Sequence, residues 1–170
     1  MQEIEAALTK YMGEWQAWAT TATDFAFGKL KPMHLGWKFA DEAALSAKLA
    51  ELMPHIAQGH IGTVDNRKIV LAVPATPVGG VPILQLMQLR PGSSDPLGLD
   101  HVAFYCADMA SLQTALQKAG VKWEHQSNPG HQWISMWFGP NNREAKFFDH
   151  TSLELGAREL SETSEKIKAT

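Results

Sequence analysis

Two stretches decide the reading of this chain: Met33-His34-Leu35-Gly36-Trp37 and Leu99-Asp100-His101-Val102-Ala103-Phe104-Tyr105. From His34 the pattern has period two. His34, Gly36 and Lys38 alternate with Leu35, Trp37 and Phe39, so one face is apolar and the other mixed. That spacing belongs to a β-strand. The two histidines are 67 positions apart, and the order of elements after the first returns after the second.

After His34, Asp41 caps a helix predicted over Glu42 to Met53, with Ala44, Leu45, Leu49 and Leu52 on one stripe and Pro54 closing it. Strands are predicted at 57–63 and 67–73, joined across Asp65-Asn66, a pair that tolerates the positive φ of a tight hairpin. A Pro/Gly-rich loop, Pro74 to Pro82, leads to a strand at Ile83 to Leu89. After the loop Arg90 to Gly98 the order repeats: a strand at Leu99 to Cys106, then a helix from Asp108 through Ala119 stopped by Gly120. Strands at Val121 to Gln126, His131 to Phe138 and Arg143 to Phe148 complete the second unit. Residues 33–89 and 99–150 therefore read as tandem βαβββ units. Ahead of them, residues 2–26 form an amphipathic helix with Ile4, Leu8, Tyr11, Trp15 and Trp18 on its stripe, and Lys29 to Met33 is a connector. Behind them, the capping box Thr151-Ser152-Leu153-Glu154 predicts a C-terminal helix over 151–170. The fold class is α+β, in a single domain over 1–170 with helices added at both ends.

Composition narrows the function. Of 170 residues, 45% are hydrophobic and 19% charged, which supplies a full core and excludes disorder. Fifteen Lys and Arg against 18 Asp and Glu give a net charge of −3, with no broad cationic surface for nucleic acid. One cysteine cannot form an internal disulfide, which fits a reducing, cytoplasmic setting. The acidic opening Met1-Gln2-Glu3-Ile4-Glu5 is not a signal peptide, and no stretch approaches the roughly 20 apolar residues that span a bilayer. No Gly-rich phosphate loop or dinucleotide fingerprint is present, so no nucleotide cofactor is expected.

Two βαβββ units, each opening with a histidine on its first strand, resemble the vicinal oxygen chelate superfamily, which includes glyoxalases, extradiol dioxygenases and bleomycin-resistance proteins. A closer similarity is to its YecM-like branch. Val64-Asp65-Asn66-Arg67-Lys68-Ile69, Gln88-Leu89-Arg90-Pro91 through Asp100-His101, and Ala145-Lys146-Phe147 carry it by their order and spacing. The resemblance implies that the paired units form a curved mixed sheet around a cavity. It further implies a metal held by His, Glu or Gln, His and Glu from the first and last strands of each unit. Carried over residue by residue, the ligands are His34, Gln88 and His101, and Lys146 stands where a second carboxylate is usual.

Two imidazoles and an amide oxygen make a usable site for Zn, Ni, Mn or Fe, though the amide brings no negative charge and an ammonium nearby opposes a dication. Three readings stay open for His34 and His101: metal ligands, pocket residues satisfied by hydrogen bonds, or catalytic groups working without metal. Lys38 shares the face of His34, and with Lys146 it would suit the carboxylate or phosphate of a small ligand. Cys106 reads as a small buried residue. Trp123, Trp133 and Trp137 read as sheet aromatics that could also line a pocket. The implied function is a metal-dependent small-molecule enzyme, an isomerase, lyase or oxygenase. The alternative is a non-catalytic protein that binds an anionic or aromatic small molecule in the same cavity. A third reading, a subunit whose main role is assembly through the Trp15/Trp18 helix, is compatible with either; a homo-oligomer is possible, and no membrane partner is implied.

Overall fold

The computed structural model describes residues 1–22, 24–64, 66–128, 131–149 and 165–168. Helix α1 runs Gln2–Ala22, four residues shorter than the periodicity suggests. Strand β1 is Lys31–Phe39, so Pro32 lies inside a strand rather than in a connector. The pairing skips Met33, and a bulge is one of the few places where a sheet accepts proline. Helix α2, Glu42–Leu52, is capped by the Asp41 side chain, which accepts from the Ala44 amide. Strands β2 (Ile56–Val64), β3 (Arg67–Pro74) and β4 (Ile83–Gln88) complete the first unit. Asn66, at the β2–β3 turn, has φ of 58°.

The second unit is β5 (Gly98–Tyr105), α3 (Met109–Ala119), β6 (Trp123–Asn128), β7 (His131–Phe138) and β8 (Arg143–Phe148). Asp108 caps α3 and Gly120 ends it in the left-handed conformation. The expected C-terminal helix is corrected at its end. Glu165–Lys168 forms strand β9, antiparallel to β2, while the capping box at 151–154 lies outside the described residues. A strand there satisfies the open edge of β2, which otherwise presents unpaired backbone groups.

The described strands form one sheet in the order β6-β7-β8-β5-β1-β4-β3-β2-β9. β1 and β5, the first strands of the two units, pair antiparallel at its centre. Each is flanked by the last strand of its own unit, β4 or β8, running parallel to it. Leu35, Trp37, Leu84, Leu86, Val102, Phe104, Ala145 and Phe147 share the face that packs on the helices. His34, Gly36, Ala103, Glu144 and Lys146 lie on the other face by the register of the same strands. No helix among the described residues is long and apolar enough to cross a membrane.

Trp15 is the keystone of the helix side. It is 1% exposed, stacks on Phe104 at 4.5 Å between ring centroids, and meets Phe27, Phe138 and Phe147. Its indole is therefore core and is not available as an assembly surface. Cys106 is likewise buried and donates its S–H to the Asp108 carbonyl. Trp15→Ala would empty the junction of α1 with both β5 and β8, a large-to-small change in the core. Denaturant titration should show a loss of about 3–5 kcal/mol, against less than about 1 kcal/mol for Leu97→Ala at an exposed position.

Candidate metal centre

Two bulges build the site. Along the β1–β5 pair Gly36 faces His101, but the next residue, Trp37, faces Leu99, so Asp100 is skipped. A bulge bends its strand and re-aims a side chain. Asp100 and His101, which would point to opposite faces of a regular strand, here meet: His101 Nδ1 donates to Asp100 Oδ2 at 2.7 Å. The mirror event occurs in β1, where Met33 is skipped between Pro32 and His34.

Glycine is required beneath the His101 ring. A Cβ at position 36 would lie 2.6 Å from Nδ1 and closer still to Cε1. No side chain fits without displacing the imidazole. Across the strand pair, His34 faces Ala103 in the same way that His101 faces Gly36.

His34 Nε2 and His101 Nε2 are 3.1 Å apart. The hydrogen-bond pattern assigns the tautomers. His101 commits its Nδ1 hydrogen to the Asp100 carboxylate, so its Nε2 carries a lone pair that accepts from His34 Nε2–H. Burial, then the positive charge of Lys146, depresses the His101 pKa to about 4, although Asp100 opposes the shift. His34 is held well below its ordinary value by burial, by His101 and by Lys146. Both rings are neutral at pH 7.

β8 adds the carboxylate. Its parallel register with β5 places Glu144 beside His101 and Lys146 beside Ala103. The Ser135 hydroxyl donates to Glu144 Oε1 at 2.8 Å, Trp133 Nε1 donates to Ser135 Oγ, and Lys146 Nζ stands 3.7 Å from Oε1. From the helix side, the buried Tyr11 hydroxyl donates to the Glu144 carbonyl at 2.6 Å. Burial raises the Glu144 pKa, against the pull of Lys146 and Ser135. One potential ligand atom each from Asp100, His101 and Glu144 lies within 4.8 Å of the others.

Of the residues expected from sequence, His34, His101 and Lys146 come together. Gln88 does not. It pairs with Phe39, five residues along β1 from His34 and about 16 Å away at about 3.3 Å per residue. Its parity with Leu84 and Leu86 also sets it on the helix side, where its side chain accepts from the Lys68 amide. The β4 residue beside His34 is Ile83. Lys38 reaches the site by another route, forming ion pairs with Asp100 at 2.7 Å and Asp95 at 2.8 Å. Sequence reasoning missed Glu144 and Asp100. Glu144 precedes Lys146 by two and so shares its face, a signal available from period two. Nothing in the alternation marks Asp100 as turned inward.

No protein-family model and no curated protein matches the chain by sequence. Solved structures do match. The structural-genomics protein EC4020 is 14% identical with a TM-score of 0.68, covering 93% of this chain and 92% of its own. Methylmalonyl-CoA epimerase from Mycobacterium tuberculosis, a vicinal oxygen chelate superfamily member, is 16% identical with a TM-score of 0.51 over 75% of this chain and 91% of the epimerase. The chain has the vicinal oxygen chelate fold. A hypothetical protein from Bacillus halodurans shares it at 15% identity and a TM-score of 0.52, over 71% of this chain and 94% of the other. In the vicinal oxygen chelate fold seen here, the two first strands meet at the centre, so a histidine on each comes within contact of the other.

The buried neutral imidazoles predict a pH dependence for metal-free protein. A histidine with a folded pKa near 4 and an ordinary value near 6.5 binds more protons when unfolded between those limits. Stability from it is fully present above pH 6.5 and is lost as pH falls toward 4. Roughly 3 kcal/mol is at stake for His101, at 1.36 kcal/mol per unit. Urea midpoints measured from pH 7.5 to 4 should fall over that window, and His101→Gln should flatten the slope. A wild-type midpoint unchanged from pH 6.5 to 4.5 contradicts the buried neutral pair.

Proposed function

We propose that this protein is a metal-dependent small-molecule enzyme in which His34, His101 and Glu144 hold one divalent cation. The observation that carries the reading is the 3.1 Å separation of the two Nε2 atoms. Two imidazoles bound to one ion through bonds of about 2.0–2.1 Å, near a right angle, take about this spacing. Glu144 enters the set through the group of Asp100, His101 and Glu144, and His34 enters it through its contact with His101. Neutral imidazole nitrogens and one carboxylate suit zinc, nickel, manganese or iron(II). Asp100 serves better behind the site than in it, because its two oxygens are already committed to His101 and Lys38. Ile83, the β4 residue beside His34, offers no donor, whereas Gln85, on the same face of β4 beside Gly36, carries an amide oxygen, a weaker ligand that brings no charge.

Bound there, the ion would polarise a substrate oxygen or stabilise negative charge developing on it. The chain's own residues do the rest. Asp100 holds the His101 ring, Ser135 holds Glu144 Oε1, and the packed core on the helix side closes the floor to water. Lys146, next to Glu144, is the cation for a substrate carboxylate or phosphate. Lys38, already between two carboxylates, is not. The similarity to the YecM-like branch belongs to this reading too and rests on its three short sequence stretches.

Calorimetry with zinc, nickel, manganese and iron(II) tests the assignment. Wild type should bind one ion. His34→Ala, His101→Ala and Glu144→Gln should each weaken it tenfold or more, while Gln88→Ala should change it less than twofold. If no ion binds at millimolar concentration, the non-catalytic binding protein becomes the better reading of the same residues.

A further inference from the structure

The two halves of the site are related by the β1–β5 pairing, and they are not equal. The approximate twofold that carries His34 onto His101 also carries the skipped residue Met33 onto the skipped residue Asp100, and Lys38 onto Tyr105. Each unit therefore has a bulge residue directly before its histidine. In the first unit that residue is apolar. In the second it is a carboxylate, 14% exposed at its side chain and hydrogen-bonded to the ring.

What orients that carboxylate is Lys38. Its side chain is 15% exposed, and its ammonium lies 2.7 Å from Asp100 Oδ1 and 2.8 Å from Asp95 Oδ2 in the β4–β5 loop. The two oxygens of Asp100 are thus divided, Oδ1 to the lysine and Oδ2 to His101 Nδ1. Two partners on opposite oxygens fix rotation of the carboxyl group, and that group in turn fixes the ring. Asp95 is 55% exposed, so its arm of the chain is the weaker. Between two carboxylates, Lys38 sits in a local group of net negative charge, the wrong setting for receiving an anionic ligand.

We infer that Lys38 is a positioning residue: acting through Asp100, it locks His101 in the Nδ1–H tautomer and so presents the Nε2 lone pair to the centre. The inference deepens the metal-site reading where it concerns metal affinity. Its statement about the tautomer stands on the metal-free protein.

The test is nitrogen-15 NMR of histidine-labelled full-length protein without metal, with zinc titrations of the same samples. In wild type, His101 should be a single Nδ1–H species. Lys38→Met should mix the two tautomers and weaken zinc ten- to a hundredfold, the range for losing an outer partner of a ligating histidine. Lys38→Arg should restore the single species, and Asp95→Asn should keep it. Should Lys38→Met fold poorly, Lys38→Gln is read the same way. A single unshifted Nδ1–H species in the Met or Gln variant overturns the inference. Mixed tautomers with no zinc bound even by wild type would uphold Lys38 as the positioning residue while removing the metal.

Discussion

The antiparallel register of β1 against β5 is the constraint on which the structure depends. It places Gly36 opposite His101 and Ala103 opposite His34, so each ring lies across from a residue too small to obstruct it. It also puts the two Nε2 atoms within 3.1 Å of each other. Strand registers tolerate no small error, because a slip of one residue moves every side chain to the other face. Leu35, Trp37, Val102 and Phe104 would then exchange the helix-packed core for the open face. The apolar side of this strand pair enforces the geometry of the polar side.

The core adds more than burial. Trp15 binds α1 to rings from both β5 and β8, and four residues earlier on the same helix Tyr11 donates to the Glu144 carbonyl. A helix that lies outside both βαβββ units therefore holds the backbone of the residue that brings the carboxylate. Burial raises the Tyr11 pKa further, so the phenol stays a donor. A buried cluster of two imidazoles and two carboxylates is costly unless its members satisfy one another. Here Ser135, Lys38, Lys146 and the paired histidines do so.

Most of the fold was legible because the repeat and the periods are strong. Asp41, Asp108 and Gly120 mark helix ends by chemistry that acts within a few residues, and β7 and β8 begin and end where their flanking turns place them. The site was legible only as far as strand identity reaches. His34 and His101 could be paired by their common place in the repeat. Gln88 could not be judged that way, since its level along β4 and its face both depend on pairing with β1. Glu144 and Lys146 share a face, and only the parallel register with β5 shows which of them stands beside His101. Asp100 was hidden for a deeper reason. A bulge breaks the period that makes strands readable, so a residue it turns inward looks like one facing out.

The charges of the finished site follow from these placements. With both imidazoles neutral, Asp100 is matched by Lys38 and Glu144 by Lys146, so the inner charges balance, and the half-exposed Asp95 adds one negative charge at the rim. On the proposed reading, a dication held by His34, His101 and Glu144 would upset that balance. Burial makes such an excess expensive, since opposite charge or hydrogen bonds must then replace the water. Lys146 sharpens the demand, because the carboxylate nearest to it becomes shared with the metal and no longer neutralises the ammonium alone. On that reading an incoming oxyanion would answer both cations at once. On the proposed reading, Lys146 beside a metal site is intelligible once the substrate is counted as part of it: protein and metal together would carry an excess of positive charge that an anionic small molecule would neutralise and a neutral one would not.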